Sequence, residues 1–313
     1  MKGQNYQMSM EVALEAVNEV NPQEFYMKAM LENRSSSLFR QVLNLKEKTK
    51  IGNVGFEDPV LPFGCAWEGT NSNLGAKEME TEKLMIQTEI CLSDIESSFI
   101  AQWMTPGTEG VDLPSQFRQH FFEELARAVS NSLEYMTWRG DKTLNPATYG
   151  SLSCIDGLEK QLTLAAIPIG QRLSGTAPTV STIIATLNSM YNKIPETYDD
   201  KSEEILWFIP SGWAKLYKQA VAAASAEAYY TKNVPLDFLG IKLEVAKGMS
   251  ANKSTISRKV NYIMLADLLS DQQNLKVIDQ SNTTAVYTMR VTSTFKYGVN
   301  YLNDEEWVTF GIA

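Results

Sequence analysis

The chain has 313 residues, of which 44% are hydrophobic and 21% charged, enough to bury a substantial core in one elaborated domain or two smaller ones. Its formal net charge of -9 argues against a general electrostatic attraction to nucleic acid or anionic lipid. No apolar run approaches the ~20 residues of a membrane helix, and no signal-peptide core follows Met1, so we expect a cytoplasmic protein without a membrane span.

The first 45 residues or so have the pattern of an arm. A short helix is predicted before Asn21-Pro22, a second from Phe25 to Leu31, and then a polar link over residues 33–37. The apolar positions of the first helix are Val12, Ala13, Ala16, Val17 and Val20. Neither helix is long enough to be stable alone, so we expect the arm to pack on other structure.

A long hairpin is predicted from Ile51 to Leu92. A first strand leads to a tip rich in Gly and Asn, and a return strand follows with alternating side chains. One face of that return strand carries Leu84, Ile86, Thr88, Ile90 and Leu92. Both faces contain some apolar side chains, which favours a hairpin that lies on a neighbour.

An amphipathic helix is predicted from Pro114 to Thr137. Its apolar stripe, at three- and four-residue steps, consists of Phe117, Phe121, Phe122, Leu125, Val129, Leu133 and Met136. Asp112 is the candidate N-cap, and Gly140 is expected to end the helix in a left-handed turn. At 1.5 Å per residue the helix is a rod of roughly 36 Å, long enough to lie along a whole sheet. We expect Phe121 and Leu125 in the core.

A compact mixed region is predicted from about Ser151 to Ser281. It contains a helix between Val180 and Ile194, a buried strand at residues 205–209, and a helix that starts at Pro210-Ser211-Gly212. Two further strands are predicted at residues 241–245 and 262–265.

The last predicted element is a long half-buried strand from Tyr287 to Val299. Tyr287, Met289, Val291, Ser293, Phe295, Tyr297 and Val299 alternate with more polar residues over its whole length. At about 3.4 Å per residue it spans roughly 40 Å, which predicts that it lies along the long helix.

In this order, the predicted elements resemble the major capsid protein of tailed bacteriophages, which has the Hong Kong 97-like fold. The resemblance covers nearly the whole chain. Its local signals are the segment 133–140, which ends in Trp138-Arg139-Gly140, the segment 206–210 before a helix, and Phe238-Leu239-Gly240-Ile241. Each signal is short, and their order and spacing carry the resemblance.

The resemblance implies an α+β fold with an N-terminal arm at residues 1–46 and an extended β-hairpin loop at 47–95. A peripheral domain with a long spine helix at 96–150, an axial domain at 151–284 and return strands of the peripheral domain at 285–313 would follow.

As function, the resemblance implies self-assembly into hexamers and pentamers of an icosahedral phage head around double-stranded DNA. The implied partners are other copies of the chain, a separate scaffolding protein, a portal, a decoration protein, and DNA through weak non-specific contact. The implied location is the virion capsid, assembled in the host bacterial cytoplasm. One alternative is a nanocompartment shell of the same fold that encloses cargo enzymes. A second is a carboxylate-dependent enzyme.

Catalytic motifs are scarce, so we predict no catalytic, cofactor-binding or metal-binding residues. His120 is the only histidine, which excludes two-histidine zinc motifs, and no nucleophile elbow or phosphate loop occurs. The adjacent carboxylates Glu123-Glu124, Asp199-Asp200, Glu203-Glu204 and Glu305-Glu306 are typical of solvated surfaces. Trp207 and Trp213 are expected in the core rather than in a ligand site.

Some capsid proteins of this family form an isopeptide bond between a lysine of the extended loop and an asparagine, promoted by a glutamate shortly after an arginine. Arg290 matches that arginine, but Val291, Thr292 and Ser293 follow it. A hydroxyl is a poor base at neutral pH, so this chemistry is not expected. Lys77 and Lys83 are instead predicted to be ion-pair partners. A glutamate elsewhere in the fold, such as Glu305 or Glu306, could replace the missing carboxylate, but nothing in the sequence places it there.

Overall fold

The computed structural model describes residues 34–43, 48–56, 72–91, 115–196, 204–224, 235–266, 276–279 and 288–312. The two helices predicted in the arm, the Asp112 cap and the turn at Asp199-Asp200 lie outside these residues. So does the predicted hairpin tip up to residue 71, whereas Asn73 and Gly75, which were assigned to the tip, lie in a strand. Among the described elements, the helices are α1 (Arg34–Leu38), α2 (Ser115–Arg139), α3 (Pro146–Tyr149), α4 (Leu158–Leu164), α5 (Ile183–Tyr191) and α6 (Ser211–Ala224).

The described strands form three sheets. They are β1 (Arg40–Leu43), β2 (Lys48–Phe56), β3 (Ser72–Glu80), β4 (Glu82–Cys91), β5 (Arg172–Leu173), β6 (Ile205–Pro210), β7 (Asp237–Phe238), β8 (Ile241–Ala246), β9 (Ser254–Arg258), β10 (Tyr262–Ala266), β11 (Lys276–Asp279), β12 (Thr288–Tyr301) and β13 (Val308–Phe310).

Strand β12 is the centre of a five-stranded sheet. Antiparallel β4 lies along one edge of it, and β10 and β11 lie along the other, with β1 parallel to β10 outside them. The predicted alternation is confirmed, because the side chains on one side of β12 are buried. They are Val291, Ser293, Phe295, Tyr297 and Val299.

A six-stranded sheet has the order β5-β13-β9-β6-β8-β7. Its core is formed with α5 and α6, and it contains Trp207 and Trp213, which confirms that both tryptophans are core residues. Sheet membership does not follow the predicted segments throughout. Strands β10 and β11 lie with β12, and the last strand, β13, lies in the six-stranded sheet.

The long helix α2 is confirmed, and its buried face is rotated slightly from the predicted stripe. Phe122 and Ala126 are buried, whereas Phe121, Leu125 and Val129 are only partly buried, so the prediction that Phe121 and Leu125 are core residues was wrong. Neighbouring residues on a helix differ by about 100°, so a repeating stripe that includes both Phe121 and Phe122 does not show which of them faces inward. The buried residues of α2 share a core with Val291, Phe295 and Tyr297 of β12. That the helix and the strand lie along each other stays a prediction.

This packing predicts unequal effects at two adjacent positions. Phe122→Ala should lower the free energy of unfolding by about 3 to 5 kcal/mol, because it leaves a cavity in the core. Phe121→Ala, at a partly buried position, should cost clearly less. Urea unfolding of the two variants measures the difference, and equal losses would contradict the assignment.

Gly140 ends α2 for a different reason than predicted. It is not among the described glycines with positive φ, so the left-handed turn was wrong. A Cβ at Gly140 would lie 2.5 Å from the carbonyl oxygen of Ile155 and 2.6 Å from that of Met136. The Gly157 amide also donates to the Gly140 carbonyl over 2.8 Å. The glycine is required because two backbone segments meet there.

The hairpin is present, but its return strand was assigned wrongly. Strand β2 pairs with β3 from Lys48 opposite Glu80 to Phe56 opposite Ser72. Strand β4, which was predicted to close the hairpin, pairs instead with β12 over ten residue pairs. The two strands β3 and β4 follow each other with only Thr81 between them, and both alternate, so the sequence alone does not show which one returns.

Candidate functional site

The hairpin β2-β3 is a two-stranded ribbon, each strand of which has nine residues and spans about 30 Å. Within the described residues, the two strands pair only with each other. A two-stranded hairpin is marginally stable in water by itself. Neither outer edge of the ribbon has a strand partner among the described residues.

Met79 anchors the base of the hairpin. Its side chain is 1% exposed and packs with Ile263 and Leu265 of β10, next to Val42 and Leu302. β12 comes close to the same base, because a Cβ at Gly298 would lie 2.6 Å from the carbonyl oxygen of Glu80. The end of the hairpin is thus fixed to the five-stranded sheet by packing and by a close backbone approach.

Lys77 adds a polar contact to the same base. Its Nζ lies 2.9 Å from the centroid of the Tyr301 ring and 3.6 Å from Asp304 Oδ1. Burial lowers the pKa of Lys77 from 10.5 to about 8, against the opposing effect of Asp304. Burial and the hydrogen bond with Asp304 raise the pKa of Tyr301 above its ordinary value. The prediction that Lys77 is an ion-pair partner is confirmed.

Lys83 differs from Lys77. It is exposed on β4 and makes no ion pair with another residue that the structure describes, so its predicted role as an ion-pair partner was wrong. In the register of the sheet it lies opposite Lys296 rather than opposite a carboxylate.

The lowered pKa of Lys77 predicts a pH dependence. Because the folded-state pKa is below the unfolded value, the protonated amine destabilises the fold below about pH 8, and the free energy of unfolding should rise between pH 8 and 10. Above pH 10 unfolded tyrosines ionise while Tyr297, with a pKa of about 12, stays protonated, and this lowers stability.

Urea unfolding at pH 7, 8, 9 and 10 measures this effect. Lys77→Met should show a smaller increase than the wild-type chain over that range, and Lys83→Met, at an exposed position on the next strand, should keep the wild-type increase. An unchanged slope in Lys77→Met would refute the role of Lys77.

An open cleft of about 380 Å³ lies beside the hairpin base. Its charged lining includes Glu78, Glu80, Glu82, Asp156 and Lys142. Lys142 donates to Glu82 over 2.6 Å. No group of three His, Cys, Asp or Glu residues that could hold a metal occurs among the described residues.

The end of the arm is built into the core, contrary to the predicted polar link. Ser35 and Ser36 in α1 are buried. The Ser35 amide and hydroxyl donate to the Glu134 carboxylate over 3.2 and 2.6 Å, and the Trp138 indole donates to the Ser35 hydroxyl over 2.9 Å. Ser35 can be buried because Glu134, on the sequence-distant helix α2, accepts its hydrogen bonds. The sequence around Ser35 does not indicate that partner.

Two further contacts fix this segment on both sheets. The Tyr297 hydroxyl on β12 bonds with Ser36 over 3.0 Å and with Thr137 over 2.7 Å. Arg34 donates to Glu244, a buried carboxylate of the six-stranded sheet, over 2.9 Å. The segment is therefore held by α2 and by both sheets.

Where the structure describes them, the carboxylates considered for chemistry lie in separate parts of the fold. His120 lies in α2, and Glu124 on the same helix pairs with Arg127 over 2.5 Å. Glu204 and the buried Glu306 both contact Arg258, over 3.4 and 3.7 Å. Asp199, Asp200 and Glu203 lie outside the described residues.

Arg290 pairs with a carboxylate of the neighbouring strand, and the residues after it alternate in direction. Arg290 Nε donates to Glu89 over 2.7 Å, and both side chains are half exposed. Val291 and Ser293 point into the core instead. The carboxylate that lies beside Lys77 is Asp304, which the sequence analysis did not consider.

Cys65, Cys91 and Cys154 are scattered without metal-ligand spacing, which predicts reduced thiols that are buried or half-buried. This prediction was partly wrong. Cys154 is a free thiol, but it is exposed rather than buried or half-buried. Cys91 ends β4, and Cys65 lies outside the described residues. In the part of the chain that the structure describes, no helix combines the length and apolar character needed to cross a membrane.

Comparison with known proteins shows the fold. No protein-family model and no curated protein matches the chain. A chain of the satellite phage P4 procapsid, which includes size determination (Sid) protein, has a TM-score of 0.56 at 10% identity, over 91% of this chain and 96% of that one. A chain of the capsid of cyanophage P-SCSP1u has a TM-score of 0.54 at 12% identity, over 87% of this chain and 86% of that one.

A third solved structure is the virus-like particle from Pyrococcus furiosus. Its chain has a TM-score of 0.50 at 9% identity, over 92% of this chain and 96% of that one. Since these likenesses cover nearly all of both chains, the predicted α+β, Hong Kong 97-like fold is confirmed.

Proposed function

We propose that this chain is a major capsid protein whose copies assemble into hexamers and pentamers of an icosahedral tailed-phage head that encloses double-stranded DNA. The observation that carries the proposal is the match over about nine-tenths of the chain to proteins of phage capsids. The proposed role is structural, without catalysis.

The described geometry supports this proposal through the hairpin. The ribbon is fixed at its base by Met79 and Lys77, and in the described residues its strands pair with no other strand. A projection of this kind gains burial when it lies on a neighbouring copy. Identical copies that each offer and receive the same projection build closed symmetric assemblies.

Further parts of the proposal concern partners and place. We propose a separate scaffolding protein, a portal and a decoration protein as partners, with the virion capsid as location and the host bacterial cytoplasm as the place of assembly. The net charge of -9 supports weak, non-specific contact with packaged DNA. The division into arm, extended loop, peripheral domain and axial domain stays a prediction.

Negative-stain microscopy of the purified full chain tests the proposal. We expect closed shells, or rings of six and five copies. A stable monomer of 35.0 kDa at high concentration would contradict it. Shells that form only with phage partners favour the phage head, whereas small empty shells formed by the chain alone favour the cargo-enclosing nanocompartment. A monomer with a hydrolytic or lyase activity would favour the carboxylate-dependent enzyme.

Assembled shells are expected to contain no covalent links between subunits. The amine of Lys77 is held over Tyr301 and beside Asp304 within its own subunit, and the exposed Lys83 has no described carboxylate partner to accept its proton. Boiled particles should therefore run as one band near 35.0 kDa on a denaturing gel. A ladder of higher bands would overturn this expectation.

A further inference from the structure

Lys77 and Tyr301 both line the open cleft of about 380 Å³ beside the hairpin base. The Lys77 side chain is 30% exposed, so its amine is partly withdrawn from water and is still reached from the cleft. A cleft of this size has room for a small molecule. A lysine amine and a phenol therefore meet at a place that a small molecule can enter.

The surroundings of the Lys77 amine favour its uncharged form. Nζ lies over the Tyr301 ring, 2.9 Å from the centroid, so the ring excludes water from that side. Burial lowers the pKa of Lys77 to about 8, against the opposing effect of Asp304. At pH 7.5 roughly a quarter of such an amine is uncharged, roughly two hundred times the fraction of a lysine with the usual pKa of about 10.4. A partly desolvated lysine of this kind is a nucleophile near neutral pH.

Two neighbouring groups are placed to move protons at this amine. Asp304 Oδ1 lies 3.6 Å from Nζ and is a proton acceptor. The Tyr301 phenol hydrogen-bonds with Asp304, and burial raises its pKa against the opposing effect of Arg172. The phenol therefore stays protonated at neutral pH and is a proton donor. A nucleophile, a proton acceptor and a proton donor meet around one lysine.

The lining of the cleft determines which compounds fit it. It contains four carboxylates and two lysines, so an anionic compound is repelled. These residues are Glu78, Glu80, Glu82, Asp156, Lys77 and Lys142. Leu164, which is 81% exposed, and Ile155 add apolar surface. An uncharged compound with a short apolar chain fits this lining.

Asp304 determines which reaction of the amine is favoured. Acylation would turn the Lys77 amine into a neutral amide and leave Asp304 without its cation, and a carbamate would place a second anion beside it. Reaction with an aldehyde gives an imine instead. The protonated imine keeps a positive charge beside Asp304 and over the Tyr301 ring. An aldehyde is therefore the electrophile with the lowest electrostatic cost at this site.

We propose that Lys77 is a covalent binding site for small uncharged aldehydes, which it holds as an imine in the cleft. The inference goes beyond the proposed self-assembly and does not depend on it.

The reaction proceeds in two steps. The Nζ lone pair of Lys77 adds to the carbonyl carbon, and Asp304 relays one amine proton to the carbonyl oxygen. The C–O bond then breaks as the C=N bond forms, and the hydroxyl leaves as water with a proton from the Tyr301 phenol, which recovers a proton from the nitrogen. One water is released, and no oxidant or reductant is consumed.

Reductive trapping in the native full chain tests the site. The chain is treated with limiting propionaldehyde and cyanoborohydride at pH 7.5, and alkylated lysines are quantified by mass spectrometry. We expect Lys77 to react at least about tenfold faster than two control lysines. Lys83 is exposed on the next strand, and Lys142 lines the same cleft but donates to Glu82 over 2.6 Å. Equal rates at the three lysines would overturn the proposal.

Three further measurements separate an activated amine from an accessible one. Alkylation of Lys77 should level off above about pH 8, whereas that of an exposed amine rises to about pH 10. In concentrated urea the three lysines should react alike. With glyoxylate, an anionic aldehyde, the preference for Lys77 should fall at least about threefold, because the carboxylates of the cleft repel it. A Lys77 rate that rises to pH 10, or a stronger preference with glyoxylate, would contradict the site.

Tyr301→Phe tests the proton donor. The variant keeps the ring beneath the amine and lacks the hydroxyl, so alkylation of Lys77 should slow at least about tenfold. Alkylation of Lys83 should stay at the wild-type rate, which checks that the fold is kept. Unchanged alkylation of Lys77 would overturn the assigned chemistry. Microscopy of shells reports separately on the proposed function, because it does not depend on aldehyde binding.

Discussion

Gly248→Ala is expected to lower the free energy of unfolding by more than about 4 kcal/mol, or to prevent folding at 37 °C. A Cβ at this position would lie 2.1 Å from the carbonyl oxygen of Glu134 and 2.6 Å from its carbonyl carbon. Both atoms belong to the backbone of α2 near its C-terminal end, between the buried residues Leu133 and Met136, and this part of the helix cannot shift without loss of core packing. An alanine at position 248 therefore fits only if the loop between β8 and β9 moves away from α2.

Gly212→Ala is the matched control. Gly212 lies in the first turn of α6, and a Cβ added there would have nothing within 4 Å, so alanine should be neutral or slightly stabilising. Urea unfolding and the soluble yield of both variants measure the difference. Similar stabilities for the two variants would show that the loop at Gly248 is not tightly packed on α2.

The same loop explains why Gly248 has a large effect. The Ser250 amide and hydroxyl both donate to the buried carboxylate of Glu159 over 2.7 Å, and Lys253 contacts it over 3.1 Å. The loop that joins β8 to β9 therefore fixes the six-stranded sheet to both α2 and α4. Separation at Gly248 would expose this carboxylate network as well as the apolar core.

Elements with a strong period were predictable from the sequence. The alternation of β12 showed which side faces the core, because each second side chain along a strand points to the same side. Helix α2 was located to within two residues of its ends. The continuous apolar run of β6 also identified a buried strand, since both of its faces are covered.

Features that depend on distant partners were not predictable. Ser35 and Ser36 look like a polar link until Glu134 and Tyr297 are placed beside them. The pairing of β4 with β12 joins residues about 200 positions apart, and no local pattern records such a partner. Gly140 was identified as a helix end, but the cause is its contact with Ile155.

The sequence predicted the long hairpin but not the contacts that fix its base to the five-stranded sheet. Gly- and Asn-rich sequence between alternating segments indicated a long hairpin. The contact of Lys77 with Tyr301 and Asp304 and the burial of Met79 depend on how the hairpin base meets the end of β12. These contacts require the tertiary fold, and the resemblance to a family supplies only the general position of the hairpin.

Replacement of residues 52–76 by Asn-Gly should leave a folded protein that does not form shells. Ile51 lies opposite Lys77 in the hairpin register, so a two-residue turn can close the ribbon there and keep the anchor at Met79. The melting temperature should change by a few degrees at most. The yield of shells in negative-stain images should fall at least about tenfold, because the variant lacks the surface proposed to lie on neighbouring copies.

Met79→Ala is the complementary variant, because it keeps the full hairpin and weakens the packing at its base. Its side chain is 1% exposed, so the substitution should cost about 2 to 5 kcal/mol of folding stability, while protein that remains folded at low temperature should still assemble. The shortened hairpin should therefore impair assembly but not folding, and Met79→Ala should impair folding but not assembly. Shells at wild-type yield from the shortened hairpin would show that the ribbon is not an assembly element, and the proposed mechanism would then have to rest on the arm alone.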